Sequence, residues 1–450
     1  MRDLLVSVAE RSGRYIEGLN ERWVFPSAEA LDRLEQFNEP LPEDSVDPES
    51  VISFLAEIGS DTTVATTGGR YFGFVTGGSL PAALAAGWLA GVWDQNAGLE
   101  VISPLASTLE SVCTRWLVDT LSLPTGTAAG FVTGATMANF SGLAAARHAL
   151  LQRQGWDVES QGLFAAPPLT VVVGDEVHVS LLKALSLLGL GRGRVIRVPV
   201  DKQGRMRPDV LPPLTDTTIV CIQAGNVNTG AFDPATEICA AARAAKAWVH
   251  VDGAFGLWAA AAPGRAHLTA GIEQADSWAT DAHKWLNVPY DSGLVFCRHD
   301  SELRGAMSTS AAYLIEGEKR EPSHYTPELS RRARGIEIWA ALRSLGRTGL
   351  ANLVERSCEH ASRFAQALNG AGYEVLNDVV LNQVLVSFGD AETTRRIISE
   401  IQADGTCWCG GTVWQERTAM RISVSSWATT ANDVERSIAA ILRIAARHQS

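Results

Sequence analysis

Between Tyr71 and Arg298, short runs of branched apolar residues alternate with longer alanine-rich stretches. The runs "LTVVVGD", "RVIRVPVD", "TTIVCIQAG", "AWVHVDG" and "SGLVFCR" are almost continuously apolar, the pattern of strands covered on both faces. Between them, "MANFSGLAAARHALLQR" and "PATEICAAARAAK" read as helices. This alternation predicts an α/β fold, a mostly parallel central sheet with helices on both faces. Ligands of such sheets sit beyond the carboxyl ends of the strands, so the residues after each run are the ones to inspect.

The pattern changes at both ends. The first part is amphipathic and helical, then passes into a proline- and acid-rich connector, "FNEPLPEDSVDPES". The stretch "LPAALAAGWLAGVW" from Leu80 opens on a proline, is too short to span a bilayer, and reads as a buried helix. The segment "SAAYLIEGEKREPSHYTPELSRRARG" has the length and polarity of an active-site loop. The residues "IEIWAALRSLGRTGLANLVERSCEHASRFAQALNGAG" read as two helices, and strand-like "YEVLNDVVLNQVLVSFG" and "RTAMRISVSSW" follow. In the closing helix Thr430 and Asp433 have capping-box spacing, and Val434, Ile438, Ile441, Leu442 and Ala445 form one apolar stripe. The expected organisation is a helical segment and connector over 1–70, a large domain over 71–300, a loop and linking helix over 301–345, and a small α/β domain over 346–450.

Composition narrows the partners. With 46% hydrophobic and 20% charged residues the chain is an ordinary folded one, and a net charge of -12 argues against nucleic acid or an anionic membrane. Seven cysteines without a disulfide pattern suit a reducing cytoplasm. Cys407 and Cys409 are separated by one residue with no histidine nearby, so no metal is expected. The N-terminus lacks a signal-peptide core, and no membrane attachment is expected.

The strand ends carry the candidate chemistry. His178 follows the first run, Asp252 ends the "AWVHVDG" run, and His283-Lys284 follow "SWATD". The small-residue turn "GFVTGATMAN" opens a helix and offers Thr133, Ala135 and Thr136. Glycine-rich "LGLGRGRV" precedes a strand instead of following one, which excludes a dinucleotide fingerprint. Singly, these are a solvated histidine, a helix cap and a surface lysine. Together they meet the needs of pyridoxal 5'-phosphate: a lysine for a Schiff base, an acid facing the ring nitrogen, and a helix N-terminus for a phosphate dianion.

The ordered set "YFGFVTGGSLPAAL", "GFVTGATMANFSGLAAAR", "GDEVHVSLLKA", "GAFDP", "WVHVDGAFG" and "DAHKWLNVPYDSG" resembles the group II pyridoxal-dependent amino-acid decarboxylases, the family of aromatic-L-amino-acid and glutamate decarboxylases. The resemblance runs from about Tyr71 to Arg343 and more weakly to the end. It implies the aspartate-aminotransferase-like fold (type I), a homodimer, and release of carbon dioxide from an L-amino acid. It makes Lys284 the Schiff-base lysine, Asp252 the ring-nitrogen partner and His178 the imidazole stacked on the ring. Ala254 would lie under the ring, with Ala135, Thr136 and His283 facing the phosphate.

Three departures stand out. The family's "NPHK" is "DAHK" here, and Asp281 is given no role. Its "GTT" is Gly225-Asn226-Val227. Its loop tyrosine, which protonates the substrate carbon, falls near Pro322, so Tyr325 is taken as the proton donor. Aldehyde-forming relatives lack that tyrosine, which leaves a decarboxylating aldehyde synthase or a carbon-carbon lyase or aldolase as alternatives. Phe72, Phe74 and Trp93 suggest either an aromatic substrate pocket or ordinary core.

Overall fold

The structure is a computed structural model that describes residues 1–309 and 319–448. The first nine residues of the expected active-site loop, 310–318, lie outside the described residues. The larger sheet contains β1 (Ala128–Val132), β2 (Thr170–Gly174), β3 (Ile196–Val198), β4 (Thr218–Gln223), β5 (Trp248–Asp252), β6 (Ser277–Asp281) and β7 (Gly293–Cys297). Their order is β1-β7-β6-β5-β4-β2-β3, and all are parallel except β7, which lies antiparallel between β1 and β6. The fold is therefore the expected mostly parallel α/β arrangement. Strands β1, β5, β6 and β7 are buried throughout, as continuous apolar runs require, whereas β3 at the sheet edge exposes Ile196 and Arg197.

The direction of β7 matters for chemistry. Antiparallel neighbours can be joined by a short connection, where parallel ones need a crossover. Asp281 at the end of β6 pairs with Gly293 at the start of β7, and residues 282–292 make the turn between them. Lys284 sits in that turn, at the carboxyl edge of the sheet.

Before the sheet come α1 (Arg2–Gly18), α2 (Ala28–Asp32), α3 (Pro48–Thr62), α4 (Pro81–Trp93) and α5 (Pro104–Thr120). Within it run α6 (Ala135–Arg153), α7 (Val158–Gln161), α8 (Val179–Leu187), α9 (Ala235–Ala244) and α10 (Asp300–Met307). Alternate strand residues feed two cores. Val171, Val173, Ile219 and Cys221 pack with Leu143, Leu150, Leu181 and Leu185, while Val172, Val220 and Ile222 pack with Ile238, Trp258 and Trp278.

Next, α11 (Gly335–Gly370) is two helices meeting at Gly346, whose φ of 59° breaks the helical path. The second sheet, ordered β10-β11-β9-β8, holds β8 (Glu374–Val375), β9 (Gln383–Ser387), β10 (Gly410–Trp414) and β11 (Arg417–Ser423). It is covered by α12 (Ala391–Asp404) and α13 (Ala431–Ala445). The capping box of α13 forms as expected: Asp433 N–H donates to Thr430 Oγ1 at 3.2 Å, and Thr430 N–H donates to Asp433 Oδ2 at 3.0 Å. Phe72 is fully buried in this second core, 5.1 Å from Phe364 in an edge-on contact, so it is a packing residue and not part of a substrate pocket.

One packing expectation fails. Helix α4 buries only Ala83 and Ala90, leaving Trp88, Leu89, Val92 and Trp93 between 43% and 65% exposed. The helix packs on α11 along one side, and its other side stays exposed among the described residues. No helix among the described residues is long and apolar enough to cross a membrane.

The connector before α4 is bolted to the Lys284 turn. Asn287 Oδ1 accepts from the N–H groups of Gly78 at 2.7 Å and Trp427 at 2.8 Å. Its Nδ2 donates to the carbonyls of Trp285 at 2.9 Å and Ser425 at 3.0 Å. Asn287 itself has a φ of 56°, a left-handed conformation that asparagine tolerates well. A methyl group on Gly77 would overlap the Lys284 carbonyl. Gly77→Ala is therefore expected to cost about 1–3 kcal/mol in urea denaturation, while Gly13→Ala in the open face of α1 gains up to about 1 kcal/mol.

Candidate functional site

Lys284 is mostly shielded, its side chain only 17% exposed, and its Nζ lies 3.1 Å from Asp281 Oδ2. A lysine withdrawn from water needs such an opposite charge. The other oxygen of Asp281 accepts the Ala135 N–H at 2.6 Å and lies 3.5 Å from His283 Nε2. Sequence reading gave Asp281 no role; the structure puts it at the centre. His283 Nδ1 accepts from the Ser292 N–H at 3.2 Å, so the proton of the neutral ring sits on Nε2, toward Asp281. Burial pushes this imidazole below the usual histidine range, Asp281 opposes that, and Lys284 reinforces it. Tyr290 stacks on the same ring at 4.3 Å, and its hydroxyl is hydrogen-bonded to Thr76 within the field of Lys284 and Asp281.

Helix α6 begins beside this turn. Its N-cap Gly134 has no side chain of its own, and beyond the Ala135 N–H taken by Asp281 the first turn presents backbone N–H groups and the positive end of the helix dipole. Ala135 is buried and Thr133 and Thr136 are half-buried there. Gly134 and Gly293 touch backbone to backbone, and a side chain on Gly293 would fill the contact.

Asp252 ends β5, one strand away from β6, and is 5% exposed. Its Oδ2 accepts from Asn139 Nδ2 at 3.0 Å and its Oδ1 from the Ala254 N–H at 3.3 Å. The Ala254 carbonyl in turn accepts the Asp281 N–H at 2.8 Å, so the two strand ends share one backbone link. His178 caps α8, its Nδ1 accepting the Ser180 N–H at 3.3 Å with Ser180 Oγ at 2.7 Å. Nδ1 thus keeps its lone pair and Nε2 carries the proton of the neutral ring. Burial lowers the His178 pKa; Asp252 pulls it up, while Lys284 and Arg421 push it further down. Lys284, Asp252, Asp281 and Arg421 are thus all close enough to act electrostatically on this imidazole.

Arg421 was not anticipated. It comes from β11 of the small sheet, its Nη1 donating to the Val227 carbonyl at 3.1 Å, and burial lowers its pKa. Nothing local in "MRISV" marks it; only the approach of the second sheet brings it in. Phe74 is 66% exposed and stacks on Trp408 at 5.5 Å, and Tyr71 stacks on Trp408 at 5.1 Å. These rings border the connector that reaches the Lys284 turn.

Tyr325 does not join them. It is 8% exposed and packs at the opposite end of the sheet, against the Gly130 backbone, with Asp300 on its hydroxyl and the Arg320 guanidinium 3.7 Å above its ring. Buried Glu110 anchors this region through Arg331 at 2.5 Å. The tyrosine closest in sequence is thus committed to structure. Trp93 lies on the exposed face of α4. Chemically, the remaining cluster offers a shielded amine, a buried carboxylate, a neutral imidazole and a helix N-terminus at the carboxyl edge of the sheet.

Residues 36–389 match the pyridoxal-dependent decarboxylase conserved domain. An aromatic-L-amino-acid decarboxylase of Bacillus atrophaeus is 24% identical over 445 residues, covering 93% of this chain and 90% of the relative. The crystal structure of Oryza sativa TDC with PLP and tryptamine superposes with a TM-score of 0.91 at 22% identity, covering 100% of this chain and 98% of that one. The 4-hydroxyphenylacetaldehyde synthase of Rhodiola rosea gives 0.86 at 22% identity, covering 100% and 99%. Taken with the domain match over most of its length, these likenesses place the chain in the pyridoxal-dependent decarboxylase family, enzymes that use pyridoxal 5'-phosphate to remove the carboxyl group of an amino acid.

Proposed function

We propose that Lys284, Asp252 and His178 form the reactive centre of a decarboxylase acting on an L-amino acid with an aromatic or apolar side chain. The observation that carries this reading is that adjacent strand ends place buried Asp252 one strand from the shielded Lys284–Asp281 pair, linked through the Ala254 carbonyl. The donor set fits the cofactor. Lys284 would hold its aldehyde carbon, Asp252 its ring nitrogen, and the start of α6, with Ala135, Thr136 and His283, its phosphate. Ala254 would lie beneath the ring. The bound cofactor supplies an electron sink conjugated to the substrate's α carbon.

The chain's own groups do the rest. Neutral His178 sets the plane of the site and offers Nε2–H to an incoming carboxylate. Arg421 orients that carboxylate, and so selects which α-carbon bond is held perpendicular to the ring, an effect realised in the transition state. Tyr290, bonded to Thr76, is our proton donor in place of Tyr325. The rings of Phe74, Trp408 and Tyr71 favour an aromatic side chain, in keeping with the name of the Bacillus relative.

We also propose a homodimer in a reducing cytoplasm. The uncovered apolar face of α4, with Trp88 44% and Val92 65% exposed, suits a second copy, and all seven cysteines are free and buried. A decarboxylating aldehyde synthase is the second reading, favoured by the removal of Tyr325 from the site.

Three outcomes are expected. The purified protein is yellow and Lys284→Ala loses both the colour and carbon dioxide release from a panel of aromatic, aliphatic and acidic amino acids; turnover by Lys284→Ala refutes the assignment. Tyr290→Phe lowers amine formation by about 100-fold and raises the aldehyde and ammonia share of product; an unchanged partition removes Tyr290 as donor. Asp281→Asn, which takes a negative charge from the phosphate cradle, tightens cofactor binding roughly tenfold in fluorescence titration of the cofactor-free protein.

A further inference from the structure

Behind Asp252 lies a buried imidazole that the reaction does not use. Trp248, His250 and Asp252 are alternate residues of β5 and point to the sheet face that packs on α6. Trp248 Nε1 donates to Ser277 Oγ at 2.9 Å, and Ser277 Oγ lies 2.8 Å from His250 Nδ1. His250 Nε2 lies 2.9 Å from Asn139 Oδ1, and Asn139 Nδ2 donates to Asp252 Oδ2 at 3.0 Å. His250, Asn139 and Ser277 are all fully buried.

An indole nitrogen can only donate. Ser277 Oγ accepts from Trp248 and keeps its own O–H to donate to His250 Nδ1. The neutral ring then carries its proton on Nε2, which donates to Asn139 Oδ1. That fixes the amide with its NH2 group toward Asp252. Turning the chain around would aim Asn139 Oδ1 at Asp252, which is satisfied only by a protonated carboxyl. Burial keeps the imidazole neutral, lowering its pKa to about 3. Gly142, one turn along α6 from Asn139, makes the room: a methyl there would lie 2.7 Å from His250 Cε1 and 2.9 Å from Nδ1.

We propose that Asn139, His250 and Ser277 are positioning residues whose one-way hydrogen-bonded chain holds Asp252 ionised and aimed at the cofactor's ring nitrogen. This rests on the assignment of Asp252 to that nitrogen. Each link is buried, so cutting one leaves polar groups unmet and lets Asp252 turn or take up a proton.

The test uses holoenzyme loaded with cofactor carrying an isotope-labelled ring nitrogen, read by nitrogen NMR alongside kcat and KM. Asn139→Ala and His250→Leu are expected to lower the protonated fraction of the ring nitrogen and to reduce kcat about tenfold or more, with KM little changed. His250→Gln, whose amide can accept from Ser277 and donate to Asn139, restores the signal; Gly142→Ala shifts it without removing any partner. If His250→Leu does not fold, Ser277→Ala, which releases Nδ1, takes its place with the same expectation. Wild-type ring protonation and kcat in Asn139→Ala and in the His250 or Ser277 variant, beside a loss of protonation in Asp252→Asn, overturn the chain alone. An unchanged ring nitrogen in Asp252→Asn overturns the Asp252 assignment and the chain with it.

Discussion

A lysine amine shielded from water has to be matched by an opposite charge, and here the match is Asp281, three residues earlier and 3.1 Å away. Because Asp281 ends β6, the pair is anchored to the sheet and not to a wandering loop. Its second oxygen takes the first free N–H of α6. One carboxylate thereby ties together the reactive turn, the strand end and the helix start. The glycine contact of Gly134 with Gly293 allows that approach, since neither residue brings a side chain into the gap.

Charge inside the pocket follows its own balance. The chain is strongly acidic overall, yet two carboxylates, Asp252 and Asp281, and two cations, Lys284 and Arg421, act together on a His178 that burial favours as neutral. Burial is the largest influence on both His178 and His283, and it drives them the same way, toward the uncharged ring. Uncharged imidazoles can stack and donate without adding a third cation near the amine. The global charge informs solubility and partners; the pocket answers to neighbours within a few ångströms.

Much of this was readable in the chain because parallel sheets put function at strand ends. His178, Asp252 and Lys284 all follow apolar runs, and the structure brings them together. What escaped reading depended on orientation or on distant approach. Asp281 was visible as a residue, but nothing in its spacing says that its carboxylate turns back to Lys284 and α6. Asn139 meets Asp252 across 113 positions of sequence, and Arg421 arrives from the other sheet. Tyr325 illustrates the converse, since proximity in sequence to the expected place says nothing about Asp300 and Arg320 claiming its hydroxyl and ring. Strand β10 hid in glycine-rich "CGGTVW", where apolar alternation is weak. Helix α4 looked like core by composition, which cannot tell a covered apolar face from an exposed one.

The side-chain amide of Asn287 has a consequence for motion. It clasps Gly78, Trp285, Ser425 and Trp427 at once, so both lobes are stitched to the loop that carries the reactive amine. Hinging the lobes apart would drag that amine out of register with its carboxylate. Any such opening therefore has to break the Ser425 and Trp427 hydrogen bonds to Asn287 first.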